Sequence, residues 1–547
     1  MTVSTPLSSG PYITAFLVAW LSGITYIIIK GWTSRTTFYR LKKQGVQPMP
    51  SWNPVTGHLL SLPPILKHFP VDVHQNYLIA ELSKTFTKSD STFYLDLWPF
   101  SAPFIVVSSP SMAIQACQTY DLGKPKALER FFYPFAGGND NLFITNGPQW
   151  KKSRALFNPG FNANYLLSQM DHIVEETSEF VDILSEHAAK GDIFSLDGLL
   201  CDFTMDIIGA VTMNARLLSQ KQFNPLAASM RSQVQWQLAD GEFNPFRRMN
   251  PVRPLMQWYN GYQMDNYVSK ELDKRFAVRK LQDDSPSRSI MDLVLDNYFV
   301  ENPSARSALK LDPVFKKWAM VQIRLFLFAG HDSTASTIAY CYHMLSKHPE
   351  VMARIRAEHD EVFGTDLTTV KTQLLEQPQK INLLPYTTAV IKEAMRLFPA
   401  ASAVRTGESG AVLQDPDGNQ YSTEGMIILV LHIALQRNPK YWKEPEEFLP
   451  ERWVVGPEDP LYPPKGGWRP FEFGPRNCIG QPLVMQDVKT VLVMTLREFD
   501  VRAAYDEWDA AHPSTGLKTA WGERAYQIFV GAAHPADGFP CRVTRRV

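Results

Sequence analysis

Between Phe471 and Gly480 the chain reads Phe-Glu-Phe-Gly-Pro-Arg-Asn-Cys-Ile-Gly. One thiol, Cys478, stands between Gly474 and Gly480, with Arg476 and Phe471 before it and a helix-like run from Gln481 after it. Glycines on both sides of a ligand let the backbone turn tightly and come close to a flat cofactor. Backbone N–H groups in such a turn hold sulfur as the thiolate, the form that ligates iron. Arg476 suits an anionic cofactor edge such as a haem propionate, gripped by paired charge-assisted bonds, and Phe471 shields the sulfur from water. A lone cysteine in a large protein is more often inert core, so the neighbours carry the reading: Phe-x-x-Gly-x-Arg-x-Cys-x-Gly fixes five positions.

A second chemical stretch is Ala329-Gly-His-Asp-Ser-Thr334. It sits inside a long run from Asp312-Pro313 to Lys347, with Pro349 beyond its end. Asp as cap and Pro at the first position predict a helix, about 35 residues and about 50 Å long. Residues 321–329 are apolar nearly all round, which predicts burial. A mid-helix glycine costs about 1 kcal/mol against alanine, and hydroxyls that bond back to carbonyls bend a helix. Proton-coupled oxygen chemistry supplies a reason: Asp332 relays protons into an otherwise dry pocket, and a hydroxyl orients water and oxygen. A capped kink without chemistry is the bland alternative.

Other patterns need elements to position them. Gly147-Pro148-Gln149-Trp150 opens a helix with proline in its first turn, and Trp150 and Arg154 share one face of it. Alone, they read equally well as an aromatic packed on an arginine stem. Glu393 and Arg396 share a face of a helix stopped by Pro399; as a solvated pair they would contribute little. Arg405 follows in Ala403-Val-Arg-Thr406, and Phe448-Leu-Pro-Glu-Arg-Trp453 adds Arg452.

In this order along the chain, from about residue 48 to its end, the sequence resembles the cytochrome P450 family. The Cys478 segment matches that family's haem-binding signature, and residues 329–334 are similar to its Ala/Gly-Gly-x-Asp/Glu-Thr-Thr/Ser motif. The resemblance implies a mainly α fold with a small β-rich subdomain. It implies haem b with Cys478 as the axial ligand to iron, Phe471, Arg476 and Gly480 around it, and Trp150, Arg154 and Arg405 reaching its propionates. Glu393, Arg396 and Arg452 become a structural clamp under the haem. Asp332, Ser333 and Thr334 become the catalytic residues. The family's usual threonine beside the acid is Ser333 here; serine keeps the hydroxyl but loses the methyl that fixes its rotamer, and the role stays open between Ser333 and Thr334.

The implied reaction is that of a monooxygenase acting on a hydrophobic substrate: one atom of O2 enters a C–H or C=C bond and the other leaves as water. NADPH acts indirectly, through NADPH-cytochrome P450 reductase docking near Lys151 and Lys152, with cytochrome b5 as a second electron donor. Family members take specificity from regions corresponding to residues 131–141 and 243–262. There Trp236, Phe243, Phe246, Trp258 and Tyr259 form either a hydrophobic lid or ordinary core and membrane-facing surface. The carboxyl-terminal segment, residues 521–547, is loosely similar to filamentous-fungal members of secondary metabolism, and residues 527–530 read as a strand. Two alternatives remain at this level: an isomerase or dehydratase of the same family that needs no external electrons, and a non-catalytic membrane-tethered binding protein.

Composition sets bounds. The 547 residues are 45% apolar and 12% aromatic, enough for a large core. Lys+Arg and Asp+Glu balance at 55 each, so no global field attracts nucleic acid. Five scattered cysteines with no C-x-x-C pair argue for a reducing compartment. Gly407-Glu-Ser-Gly410 misses the nucleophile-elbow pattern, and the chain has neither a His-Glu-x-x-His zinc site nor a dinucleotide fingerprint, so electrons come from another protein. Residues 11–29 are almost wholly apolar, long enough to span a bilayer. Lys30, Arg35, Arg40, Lys42 and Lys43 follow, and the first acidic residue is Asp72, which predicts a cytosolic bulk by the positive-inside rule. The expected organisation is a short non-cytosolic terminus (1–10), a transmembrane anchor (11–29), a basic and proline-rich linker (30–56) and a catalytic domain (57–547). By resemblance the location is the endoplasmic reticulum membrane, single-pass.

Overall fold

The computed structural model describes residues 10–43, 51–86, 92–237, 249–281 and 289–546. Phe243, Phe246 and the prolines of residues 47–50 lie outside the described residues. Helix α1, Gly10–Lys43, is the one helix among the described residues long and apolar enough to cross a membrane, and its apolar window is not buried against the rest of the chain. It does not stop where the apolar run stops. Arg35 forms an ion pair with Asp96 and donates to the Val55 carbonyl at 3.1 Å, and Trp52 donates to the same Asp96 at 3.0 Å. Phe38 and Leu41 are buried with Tyr94 and Ile105. The helix continues past residue 30, and its last turns pack into the globular body through Phe38 and Leu41.

The globular body is mostly helical. The helices that matter for the site are α2 (Gly147–Phe157), α3 (Leu196–Met213), α4 (Pro225–Gln235), α5 (Val252–Arg279), α6 (Pro313–Lys347), α7 (Pro385–Leu397) and α8 (Gln481–Thr495). Helix α6 is the axis of the largest apolar cluster and packs along α3. The Asp312 carboxylate accepts the N–H groups of Val314 (3.0 Å) and Phe315 (2.8 Å), satisfying donors that a helix start leaves open. Two polar residues in its buried run tie it to neighbours. Gln322 donates to the Asp140 carbonyl at 2.5 Å and accepts from Leu142 N–H at 2.9 Å; Arg324 pairs with Asp265 at 2.7 Å and donates to the Pro134 carbonyl at 2.8 Å.

Gly330 has a packing reason rather than the chemical one expected of it. A Cβ there would lie 2.7 Å from the Ile208 side chain of α3, so the close crossing of the two helices requires a residue without one. Helix α6 runs unbroken through that point.

Among the described residues, eleven strands form small sheets. β1 (Phe93–Leu95), β2 (Phe104–Val107), β4 (Ala403–Thr406) and β7 (Ile427–Val430) join in the order β1-β2-β7-β4, with β2 and β7 parallel. β3 (Phe194–Ser195), β8 (Phe499–Ala503) and β11 (Pro540–Arg545) form a second sheet, while β5 (Val412–Gln414) with β6 (Gln420–Ser422), and β9 (Gln527–Val530) with β10 (Ala532–Pro535), are hairpins. The expected strand at residues 527–530 is β9. Its partner β10 carries the turn back toward α6.

Candidate active site

The loop before α8 is a set of tight turns. Cys478 N–H donates to the Phe471 carbonyl at 2.8 Å and Asn477 N–H to the Gly474 carbonyl at 3.1 Å. Gly474 takes φ +93°, and a Cβ there would fall 2.5 Å from the Cys117 carbonyl, so this glycine is needed twice over. Gly480 takes φ −80°, open to any residue. Its part is played by its N–H, which with that of Gln481 is directed at the Cys478 sulfur. Phe471 is buried and meets Trp468 edge to face at 5.8 Å between centroids.

The Cys478 side chain is exposed, unlike Cys117, Cys341 and Cys541, which are buried. Surrounding protein nevertheless desolvates its sulfur and pushes the thiol up, against the pull of the Gly480 and Gln481 N–H groups and of Arg154. The sulfur is thus reachable from solvent on one side and crowded by protein on the other. Such a thiol stays protonated alone and becomes thiolate when a cation binds it, since ligation displaces the proton.

Four cations gather around the same loop. Arg154 donates to the Asn477 carbonyl at 2.7 Å and to its Oδ1 at 2.9 Å, so it braces the residue before the thiol. Arg476 donates to Asn146 Oδ1 and to the Thr145 carbonyl, each at 2.6 Å, and lies over the buried Trp150 ring at 4.7 Å. Burial, with Arg405 and Arg154 beside it, pushes Arg476 down to about 10. Arg405, on β4, is fully buried; its Nε and one Nη have no hydrogen-bond partner. The fourth cation, Lys124, was not singled out from the sequence. It is buried against the Phe143 ring, and burial together with Arg405 and Arg476 pushes its ammonium well below the usual lysine range.

Beneath the loop, Glu393 and Arg396 of α7 are wholly buried with Arg452. Glu393 accepts two bonds from Arg396 at 2.9 Å, and others from Arg452 (3.1 Å), Trp453 (3.0 Å) and the Leu449 N–H (3.0 Å). Arg396 also donates to the carbonyls of Gln436, Pro445 and Glu447. A carboxylate so fully paired offers nothing to a substrate, and its geometry is that of a brace.

On α6 the three hydroxyl and acid residues point differently. Asp332 is buried and turned toward β10, where the Ala532 N–H donates to its Oδ2. Ser333 is half-buried, and its hydroxyl donates to the Ala329 carbonyl at 2.9 Å. Ala329, one turn earlier, is exposed although residues 319–328 are all buried. Thr334 is buried, its hydroxyl without a partner. Ser333, not Thr334, therefore stands on the open face of the helix.

The Cytochrome P450 family model matches residues 48–527. The chain is 38% identical, over 95% of its length and 93% of the relative's, to the cytochrome P450 monooxygenase polC of Polytolypa hystricis. It belongs to the cytochrome P450 family. This P450 is also similar to the cytochrome P450 monooxygenases acrF of Aspergillus aculeatus, 33% identical over 87% of this chain and 98% of the relative, and ptmG of Penicillium ochrochloron, 25% identical over 96% and 94%.

Membership implies a haem, a redox partner and a hydrophobic substrate. The residues present fit that cofactor. Open guanidinium donors on Arg405, beside an ammonium destabilised by its cationic neighbours, suit the two carboxylates of a haem edge. The accessible, N–H-directed thiol of Cys478 suits its iron. Of the specificity regions, Trp258 and Tyr259 on α5 are exposed and Trp236 is half-buried. Besides Lys124, sequence reasoning missed His534 on β10. No pattern marked Lys124, a lysine between Gly123 and Pro125 with Lys126 close by. Nor did any mark His534, since its neighbours lie hundreds of residues away.

Proposed function

We propose that this chain is a membrane-anchored haem-thiolate monooxygenase, an oxidoreductase acting on paired donors with incorporation of O2, in which the Cys478 sulfur would hold the iron of haem b. The observation that carries this is the Cys478 thiol, accessible yet desolvated, with two backbone N–H groups directed at it and the Arg154 charge nearby, held on Asn477. Bound there, haem supplies dioxygen activation, one atom passing to a hydrophobic substrate and the other to water. The chain supplies the rest. Arg405, Lys124 and Arg476 hold the propionates, and Trp150 supports Arg476. Arg154 steadies the thiol through Asn477 rather than gripping a propionate. Phe471 keeps water from the sulfur. Asp332 provides protons to the pocket and Ser333 orients them, with Thr334 a packing residue behind it.

Electrons come from NADPH through NADPH-cytochrome P450 reductase docking near the exposed Lys151 and Lys152, and cytochrome b5 is a second donor. Helix α1 anchors the enzyme by a single pass in the endoplasmic reticulum membrane, catalytic domain in the cytosol, with residues 1–10 on the other side. The substrate class is a hydrophobic fungal secondary metabolite, suggested by the fungal relatives. Purified protein, reduced and exposed to carbon monoxide, is expected to show the Soret band of an axial thiolate and to consume NADPH with reductase and substrate. Absence of that band overturns the assignment. Turnover under anaerobic conditions without NADPH replaces it by an isomerase or dehydratase.

A further inference from the structure

Asp332 does not stand alone. Behind it the β9–β10 turn comes so close that a Cβ on Gly531, at φ +82°, would lie 2.6 Å from its Oδ2. Three residues on, His534 bonds through Nδ1 to Asp197 Oδ1 at 2.8 Å, in the first turn of α3, while its Nε2 stands 3.3 Å from Asp332 Oδ1 as an ion-pair contact without hydrogen-bond alignment. The ring is buried between two carboxylates. Beside it lies a cavity of about 140 Å³ lined by Asp197, Asp202, Arg231, His331, Asp332 and His534, among others. Arg231, on α4, is half exposed and pairs with Asp202, so this end reaches solvent. Met205, Ala227, Val234 and Val530 make much of the wall apolar, so water there would find its partners on the carboxylate and imidazole side.

We propose that His534 is a positioning residue that stores the proton Asp332 needs in each cycle, and that the cavity beside it is the inlet through which the store is refilled. This rests on the reading of Asp332 as the pocket's acid. In the step, the Nε2–H bond of the imidazolium breaks and an O–H bond forms on Asp332 Oδ1, leaving a neutral ring with its Nδ1–H on Asp197. Water in the cavity returns a proton to Nε2, and bulk buffer neutralises the hydroxide left behind. No electrons move; one proton passes from solvent to Asp332.

The surrounding charges favour a stored proton. Burial opposes the charged ring, but Asp197 and Asp332 outweigh it and raise His534 well above the usual histidine range. His331, 4.0 Å from Asp332 Oδ1, has its Nδ1 on the Leu327 carbonyl at 2.8 Å and is pushed down by burial, so it does not compete for the proton. Cys201 is pushed well above the usual thiol range by burial, with Asp197 and Asp332 next, and stays neutral. At the outer end Asp202 is raised to about 6, first by burial and against the pull of Arg231, which makes it a carboxylic acid able to exchange protons near neutrality. Among these groups only Arg231 adds positive charge near the ring.

The test uses the full-length holoenzyme with reductase. In histidine-¹⁵N spectra the resonances lost in His534→Gln should report both ring nitrogens protonated at pH 7.5. His534→Gln and Asp197→Asn should keep the carbon monoxide band and the substrate-induced spectral shift. Product formed per NADPH should nevertheless fall by about tenfold, with a rate that climbs as pH falls, since protons must then come from solution. A His534 ring that is neutral at pH 7.5 overturns the proposal. So does His534→Gln with unchanged coupling and pH profile while Asp332→Asn is slow; were Asp332→Asn normal as well, the parent reading of the acid fails instead. One equivalent of a divalent metal in the purified enzyme, lost in Cys201→Ser, also overturns it, because Asp197, Cys201 and His534 have ligand atoms within 4.8 Å of one another.

Discussion

Cys478 is held by turns whose partners, Phe471 and Gly474, lie within the same loop, whereas Asp332 is held by Ala532 and His534 some two hundred residues later and, through His534, by Asp197. Both groups face the chemistry proposed here. The thiol needs a rigid cup with N–H groups at fixed distance, which a short turn provides at small entropic cost. The acid needs a path to solvent through a dry core, and no local segment can provide that; it takes a helix start, a helix middle and a hairpin brought together. Local construction leaves a pattern in the sequence, and assembled construction does not.

Breaking the sulfur side should have the largest effect. Cys478→Ala is expected to abolish the carbon monoxide band and all NADPH-dependent product, while circular dichroism still shows a mainly helical protein. Next comes the brace below it. Glu393→Gln strips the countercharge from buried Arg396 and Arg452, and uncompensated buried charge costs about 3–5 kcal/mol; thermal unfolding of the variant should show that loss together with poor haem retention.

A pH effect follows from buried neutral histidines away from either side. Burial pushes His74 down to about 4. Its folded value lies below its unfolded one, so its contribution is fully present above about pH 6.5 and is lost as pH falls toward 4, the unfolded chain taking up the proton first. By pH 5 the loss is about 2 kcal/mol, and urea unfolding of His74→Gln should show a shallower decline between pH 7 and 5 than the wild type.

The acid side is sharpened by separating its hydroxyls. Ser333→Ala should lower product per NADPH by about tenfold. Thr334→Val removes a buried hydroxyl that has no partner and should leave coupling unchanged and stability equal or slightly higher. The reverse ranking would return the role to Thr334. The smallest loss is expected at Lys124→Gln, a few-fold faster release of haem to an acceptor protein, in line with about 1 kcal/mol for one exchangeable charge-assisted bond.

Much of this molecule could be read from its residues. The bounds of α6 follow from Asp312-Pro313 and Pro349, β9 from its apolar run, and the Cys478 loop from spacing alone. The contact of Arg154 with Asn477 had no sign in the sequence, because a guanidinium's choice between neighbours depends on distances no pattern contains. Gly330 looked chemical when it is a contact point for Ile208, since a helix–helix crossing leaves no mark on either segment by itself. Lys124 and His534 were invisible for the same reason: each acquires its character from charges that the fold brings in from elsewhere.

The continuity of α1 with the globular body has a mechanical consequence. A helix whose last turns are locked by Arg35 to Asp96 and by Phe38 into an apolar cluster acts as a stiff mast rather than a tether. With its apolar stretch crossing a bilayer as proposed, such a mast would hold the globular body at a set tilt, and every copy would present the same flank to the lipid.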